Sequence, residues 1–422
     1  MNSDAIDVLV VGSGPAGMAA AIQAKESGSD RVLLVERAEE LGGLLSQCIH
    51  NGFGLIYFNE DMTGPEYGQR FVEKVMDSKI EVLLETMVLR LTADRKVTLC
   101  NKNGVKTLNP NSVVLAMGCR ERTRESIVIP GYRPAGIFTA GTAQRWVNIE
   151  GYLPGKEIVI LGSGDVGMIM ARRLTLEGAR VKAVVEILPY IGGLIRNEVQ
   201  CLYDFDIPIL LEHTVVNIHG IQRVNGVTVA RLDQDKNPIP GTEKFIECDT
   251  LLLSVGLIPE NELSFMAGVN LDPITGGPIL NERMETNLSG IFAAGNCVHV
   301  NDLVDNVTLE GEKAGQNASE NASGKAAPKM GIRLEAGENV RYVVPQMITG
   351  EREVTIRLRV KEPEKSVILK VGELMTKTLK VVKPSEMLNL ILSETHLNRM
   401  KKGTTQLVVS CQKEEVDDEK RE

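Results

Sequence analysis

The chain carries one pattern twice. "VLVVGSGPAGMAAAIQAKESGSDRVLLVE" (8–36) and "IVILGSGDVGMIMARRLTLEGARVKAVVE" (158–186) align at a constant offset of 150 residues. Gly12, Gly14 and Gly17 fall on Gly162, Gly164 and Gly167, Glu36 falls on Glu186, and "GGL" at 42–44 falls on "GGL" at 192–194. Each copy reads as a β-branched strand, a GxGxxG turn, an Ala- or Met-rich helix, and a second strand ending in an acid.

That order is the one a dinucleotide needs. The first glycine makes the tight turn, the second lets backbone N–H groups approach a pyrophosphate, and the third lets helix pack on strand. The helix N-terminus favours the phosphates, and the terminal carboxylate accepts hydrogen bonds from a ribose. The predicted contacts in the first copy are Gly12, Gly14, Pro15, Ala16, Gly17, Glu36 and Arg37, with Gly43 and Leu44 from the following GGL. In the second copy they are Gly162, Gly164, Asp165, Val166, Gly167 and Glu186.

Two further echoes close the modules. "VVLAMG" (113–118) recurs as "LLLSVG" (251–256), each a buried strand whose terminal glycine lets the chain pass close to a cofactor, which adds Ala116, Gly118 and Gly256 to the predicted contacts. "GIFTAG" (136–141) recurs as "GIFAAG" (290–295). The second module is read as inserted in the first. The expectation is an α/β protein with two Rossmann-like dinucleotide-binding domains: one from 1–119 and 260–327, the other from 120–259.

With 422 residues the chain exceeds what one core fills, and 40 glycines with 4% aromatics suit a fold rich in tight turns. Its net charge of −9 and the lack of a Lys/Arg stripe argue against a nucleic-acid partner. No apolar run reaches the length of a transmembrane helix, and "MNSDAIDVLVV" lacks the basic start of a signal peptide, so a cytoplasmic location is expected. The seven cysteines, at 48, 100, 119, 201, 248, 297 and 411, form no CxxC pair, which disfavours a local dithiol, a zinc knuckle or an iron–sulfur ligand set; no metal site is expected.

These modules resemble the flavoproteins related to the pyridine-nucleotide disulfide oxidoreductases, over about residues 1–325. The resemblance implies FAD in the first module and NAD(P)H in the second. It implies that the segment "TNLSGIFAAGN" returns to the FAD domain, with Gly295 and Asn296 at the flavin. Asn296 stands where Asp is usual. The helix in "DNVTLEGEKAGQNAS" is expected to aim its N-terminal end, near Thr308 to Gly311, at the flavin N1–C2 edge, where it would stabilise negative charge. Glu186 would repel the 2′-phosphate of NADP, so NAD is the expected nucleotide.

"GGLLSQCIHNGFG" (42–54) departs from the disulfide reductases. It holds one cysteine where they carry two, and the His-Pro dipeptide of their C-terminal domains is absent from the chain. Three readings of this loop stand open: Cys48 cycling through a sulfenic acid, His50 acting as proton donor or hydrogen-bond partner beside the flavin, or Gly52 and Gly54 turning the backbone while Cys48 fills space.

Together with "DMTGPEY", "LAMGCRERTR" and "FAAGNCVHVNDLVDNVTLEGEKAG", the loop resembles a subgroup in which such a chain is the NAD-reactive flavoprotein subunit of glycerol-3-phosphate dehydrogenase or opine oxidase-type complexes. That implies a hetero-oligomer with two partners, a small cysteine-rich electron-transfer protein and a second flavoprotein dehydrogenase subunit. Alternatives are a stand-alone NADH oxidase or peroxidase using Cys48, and a non-catalytic flavin-binding assembly subunit. Three arginines, Arg120, Arg122 and Arg124, alternate after the glycine strand, either guiding a polyanion or an acidic partner surface, or lying in a solvated connector.

Past residue 326 the composition changes. "RYVVPQM", "EVTIRLRVK", "KSVILKV" and "TTQLVVSC" read as strands of a small β-rich interface domain over 328–412. "SEMLNLILSETHLNRMKKG" reads as an amphipathic helix with Ser385 at its N-cap and Lys401 and Lys402 in its last turn, and 413–422 as a disordered tail.

Overall fold

The computed structural model describes residues 6–325, 331–401 and 403–414. Contacts divide the chain into two compact units. One comprises residues up to Leu45, Asn51–Cys119 and the chain from Pro259 on; the other comprises Ser46–His50 and Arg120–Ile258.

The first unit is built on a five-stranded parallel sheet in the order Ile291–Ala293, Ser112–Leu115, Val8–Val11, Val32–Val35, Glu81–Leu83. The three central strands are buried on both faces, which suits their unbroken Val/Leu runs. Helix Pro15–Glu26 lies against helix Val304–Ala322 at close range, because Gly311 and Gly315 leave room where a Cβ would stand 2.2 Å from Ala16 O and 2.1 Å from Ala20 O. A three-stranded antiparallel sheet, Met87–Leu91, Val97–Asn101 and Gly104–Leu108, is formed by the chain that connects Glu81–Leu83 to Ser112–Leu115.

The second unit repeats the plan. Its parallel sheet runs Ile137–Thr139, Thr250–Leu253, Glu157–Leu161, Arg180–Val185, Ile209–Leu210, with helix Asp165–Leu176 after the central strand and its own antiparallel sheet of His213–His219, Gly226–Arg231 and Lys244–Ile246. The strands of "GIFTAG" and "GIFAAG" occupy the same edge of their two sheets, and those of "LLLSVG" and "VVLAMG" the same position beside the central strand. Both echoes are structural equivalents.

The last part of the first unit is β-rich. A five-stranded sheet (Met347–Ile348, Ile332–Ala336, Gln406–Lys413, Glu364–Val371, Met375–Val382) and a three-stranded one (Val340–Val344, Val354–Val360, Leu388–Leu392) share a Val/Ile/Leu core. The strands Ile332–Ala336 and Met375–Val382 were not foreseen in the sequence.

The amphipathic helix expected from Ser385 is not formed. Leu388–Leu392 is instead a strand antiparallel to Val354–Val360, with Leu390 and Leu392 buried and Asn389 and Ile391 exposed. That is a period of two, which the Leu-rich composition had masked. Among that segment's described residues only Glu394–Leu397 is helical, with Ser393 rather than Ser385 at its N-cap. Of the expected tail, Lys413 ends a strand, while 415–422, like Lys402, lie outside the described residues.

Candidate functional site: two dinucleotide cradles

Each module closes its cradle with the same contacts. In the first, Glu36 Oε2 accepts from Ser13 N (2.8 Å) and Ser13 Oγ (2.7 Å), and Oε1 accepts from Ala38 N (2.9 Å). In the second, Glu186 Oε2 accepts from Ser163 N (2.8 Å) and Ser163 Oγ (2.6 Å), and Oε1 from Leu188 N (2.9 Å). The serines hold each carboxylate beside its glycine turn. Sequence reasoning passed over Ser13 and Ser163, although the x of G-x-G is serine in both copies.

Gly12 and Gly162 share a positive φ of +96° and +97°, and a Cβ there would meet Ala116 O at 2.5 Å and Ser254 O at 2.1 Å. At Gly17 a Cβ would lie 1.8 Å from Gly12 O, and at Gly167 2.6 Å from Ser254 Cβ. These glycines are therefore fixed by close packing. Gly14 differs, since a Cβ there would meet nothing within 4 Å. It leaves open space over the start of helix Pro15–Glu26, whose first turn, including buried Ala16 and Gly17, has no side-chain cap at Gly14. A helix start without a side-chain cap, beside the open space at Gly14, fits a pyrophosphate.

Gly43 (φ +57°) lies against the same turn, 2.9 Å from Gly14 Cα to its ideal Cβ position, while Leu44 and Arg37 are exposed. Ala116 is buried at the end of its strand, and Gly118 (φ +71°) faces open space. Gly295 (φ +75°) packs on Ala16, where a Cβ would stand 2.9 Å from Ala16 Cβ, and Asn296 Oδ1 accepts from Asn301 N at 3.0 Å. These residues converge on one end of the parallel sheet, beyond its carboxyl edges, where open α/β sheets take ligands.

Helix Val304–Ala322 follows extended Leu303 and carries Asp305 in its first turn, so Thr308 lies one turn in from its start. Thr308 is buried, with its hydroxyl 2.6 Å from that of Tyr67. Tyr67 comes from the "DMTGPEY" segment, in which Thr63 and Glu66 form a capping box for helix Gly64–Asp77. At the N-terminus of Val304–Ala322, Asp305 Oδ1 accepts from Tyr57 N (2.7 Å) and Ile56 N (3.3 Å).

In the second cradle Gly167 N donates to Ser254 Oγ (3.1 Å), Val166 is half-buried, and Gly256 (φ +104°) has only Arg122 Cδ and Nε near its ideal Cβ, at 3.7 Å. Asp165 stands where the first copy has Pro15. Its Oδ1 accepts from Leu194 N (2.8 Å) and Asn197 Nδ2 (2.6 Å), which ties the GGL turn to the helix start. Arg124 is neither a guide for anions nor solvated: it is buried and donates to Ile129 O, Gly131 O and Tyr132 O.

Residues Ser46–His50 group with the second unit. Gln47 Nε2 donates to Gln144 Oε1 (3.0 Å) and Gly141 O (3.3 Å), and Asn148 Nδ2 donates to Gln47 O (2.8 Å). Burial pushes the Cys48 thiol up to about 12. Burial, and then the positive charge of Arg196, lower His50, with Asp165 opposing and Arg172 reinforcing. Gly52 (φ +118°), at the irregularity within strand Asn51–Phe53, and Gly54 (φ +83°), at the bend after it, take positive φ in the first unit. No disulfide joins any two of the seven cysteines, all of which lie among the described residues.

Two dinucleotide cradles with matched glycine turns and serine-held acids define a class, and residues 6–322 match the pyridine nucleotide-disulphide oxidoreductase family model. The chain belongs to that family, whose members are FAD- and NAD(P)-dependent oxidoreductases; its cofactors are FAD and NAD(P). Among curated relatives it is 27% identical over 317 residues to an opine oxidase subunit of Agrobacterium tumefaciens (strain Ach5), covering 70% of this chain and 61% of that one. It is 28% identical to the HcnB subunit of hydrogen cyanide synthase from Pseudomonas protegens, covering 63% and 59%. The chain thus spans about three-fifths of these two relatives.

Among solved structures, the thioredoxin reductase of T. acidophilum matches with a TM-score of 0.61 at 23% identity, over 75% of this chain and 99% of that one. An NAD-dependent persulfide reductase from A. fulgidus matches with a TM-score of 0.56 at 18% identity, over 92% and 71%. Both are likenesses of fold. Among the described residues, no helix is long and apolar enough to cross a membrane.

Proposed function

We propose that this chain exchanges hydride between NAD(H) and FAD as the NAD-reactive subunit of a multi-subunit dehydrogenase, of which a glycerol-3-phosphate dehydrogenase is the model. The observation that carries the reading is that both cradles are intact to the same hydrogen bonds, Ser13 to Glu36 and Ser163 to Glu186. A chain kept only for assembly has no need of the second set.

When bound, NAD(H) supplies or takes the hydride and FAD takes or supplies it. The residues of the chain bind and orient. The N–H groups after Gly14 and Gly164 receive phosphates, Glu36 and Glu186 receive ribose hydroxyls, and the turn at Gly295–Asn296 bounds the flavin end of the first cradle. Glu186 supports NAD over NADP by charge.

Subunit character is supported by relatives that are themselves named as subunits, of opine oxidase and of hydrogen cyanide synthase. The partners read from the resemblance are a small cysteine-rich electron-transfer protein and a second flavoprotein dehydrogenase subunit. The reading of a stand-alone oxidase using Cys48 is disfavoured, because a thiol pushed up to about 12 forms little thiolate near neutral pH.

Purification from the native source tests the assembly. Co-purifying chains are expected, and a single 46.1 kDa species with full dehydrogenase activity would contradict it.

A further inference from the structure

Strand Val354–Val360 belongs to the C-terminal β region, beyond the 6–322 span of the family model. Its residues alternate. Val354, Ile356, Leu358 and Val360 enter the Val/Ile/Leu core of that region, which sends Thr355, Arg357 and Arg359 to the opposite face. Both arginines on that face meet the chain that follows Gly295.

Arg357 Nη1 lies 3.2 Å from Glu310 Oε1, which also receives His299 Nε2 at 2.8 Å. The second oxygen, Glu310 Oε2, accepts from Gly295 N at 2.9 Å. The Glu310 side chain is fully buried and that of Arg357 is only 10% exposed. Burial alone would raise the Glu310 carboxyl, but the charges of His299 and Arg357, with the hydrogen bonds from His299 and Gly295 N, hold it below its usual range. A buried carboxylate keeps its charge only when paired, so the bond to Gly295 N is a charge-assisted one that depends on these two partners.

The second arginine closes the same segment. Arg359 pairs with Asp302 and donates to Val300 O (3.2 Å) and Pro384 O (3.0 Å), and Met387 N donates to Asp302 Oδ2 (2.7 Å). Tyr342, on the neighbouring strand Val340–Val344, sets its ring edge-on to His299 at 5.9 Å. The turn so held abuts Ala16 in the first turn of the phosphate-site helix, with no room for a Cβ at Gly295.

We propose that Arg357 is a positioning residue for the flavin site: it holds Glu310, and through Glu310 the Gly295–Asn296 turn, so that FAD affinity depends on a strand outside the dinucleotide fold. This rests on the first cradle being the FAD site.

The test uses the full chain, stripped of flavin and titrated with FAD, in four forms: parent, Arg357→Met, Arg357→Lys, and Arg357→Met combined with Glu310→Gln. Removing one partner of a buried pair is strongly unfavourable, and tenfold in affinity is 1.4 kcal/mol, so Arg357→Met is expected to raise the FAD dissociation constant about tenfold or more and to alter the circular dichroism of the bound flavin. Arg357→Lys keeps the charge and is expected to stay within about threefold of the parent.

The double variant removes the stranded carboxylate charge while leaving an acceptor for Gly295 N. It is expected to recover at least half of the loss on a logarithmic scale and, if Arg357→Met alone does not fold, to bind FAD within about threefold of the parent, a weaker affinity then overturning the proposal. An FAD affinity within about twofold of the parent in Arg357→Met, or no recovery in the double variant, overturns the proposal. A parent that binds no FAD overturns the reading of the first cradle and the proposal with it, whereas tight binding by the parent separates the two.

Discussion

Ser163 gives both its backbone N–H (2.8 Å) and its hydroxyl (2.6 Å) to one oxygen of Glu186, leaving the other oxygen with Leu188 N. The carboxylate is fixed at the end of its strand, with one acceptor site on Oε1 remaining for a ribose hydroxyl. Replacing Glu186 with Ala is expected to raise KM for NADH about tenfold with a smaller change in kcat, since the lost contact serves ground and transition states alike. The NADH-over-NADPH preference is expected to shrink in steady-state kinetics. An unchanged preference would show that Glu186 does not read the ribose.

Gly311 faces Ala16 O, and the 2.2 Å left for a Cβ is filled by backbone that no rotamer change can move. Gly311→Ala is therefore expected to cost about 1–3 kcal/mol in denaturant unfolding, as overpacking of a close contact does. FAD content after purification is expected to fall with it, because Ala16 opens the phosphate-site helix. Parent-like stability and flavin content would contradict the close crossing of the two helices.

Cys48 is held as a thiol by burial, pushed up to about 12. Little thiolate forms near pH 7, so Cys48→Ser is expected to leave NADH-driven turnover unchanged. Sulfenic acid trapped at Cys48 during turnover, or loss of turnover in the variant, would restore the peroxidase reading.

His50 is lowered in the folded chain by burial and by Arg196. The unfolded chain takes up a proton as pH falls below about 6.5, and the folded chain does so only at lower pH, so this residue makes stability decline on acidification through that window. His50→Gln is expected to flatten the decline between about pH 6.5 and 5, measured by denaturant unfolding at several pH values. An unaltered slope would contradict the shift.

The modules were legible in the sequence because their chemistry is local. Gly12 and Gly162 are required by a positive φ and a carbonyl at contact distance, Glu36 and Glu186 by the serine beside them, and each requirement recurs at a fixed spacing. The expected helix from Ser385 failed for a different reason. The run "LNLIL" satisfies either period, and pairing with Val354–Val360 decided it.

The Glu310, His299 and Arg357 cluster leaves no local trace at all. Glu310 and Arg357 meet only once the C-terminal sheets are formed, and no spacing in the chain announces a contact across 47 positions. Asp165 was marked as a cofactor contact by its place in GxGxxG; its engagement with Leu194 and Asn197 depends on how the second GGL turn folds back.

The most direct measurement is anaerobic addition of NADH to the purified chain carrying FAD. Bleaching of the flavin absorbance by stoichiometric NADH, with NADPH markedly slower, is the predicted result. Flavin that stays oxidised under excess NADH would contradict the assignment of this chain as the NAD-reactive component.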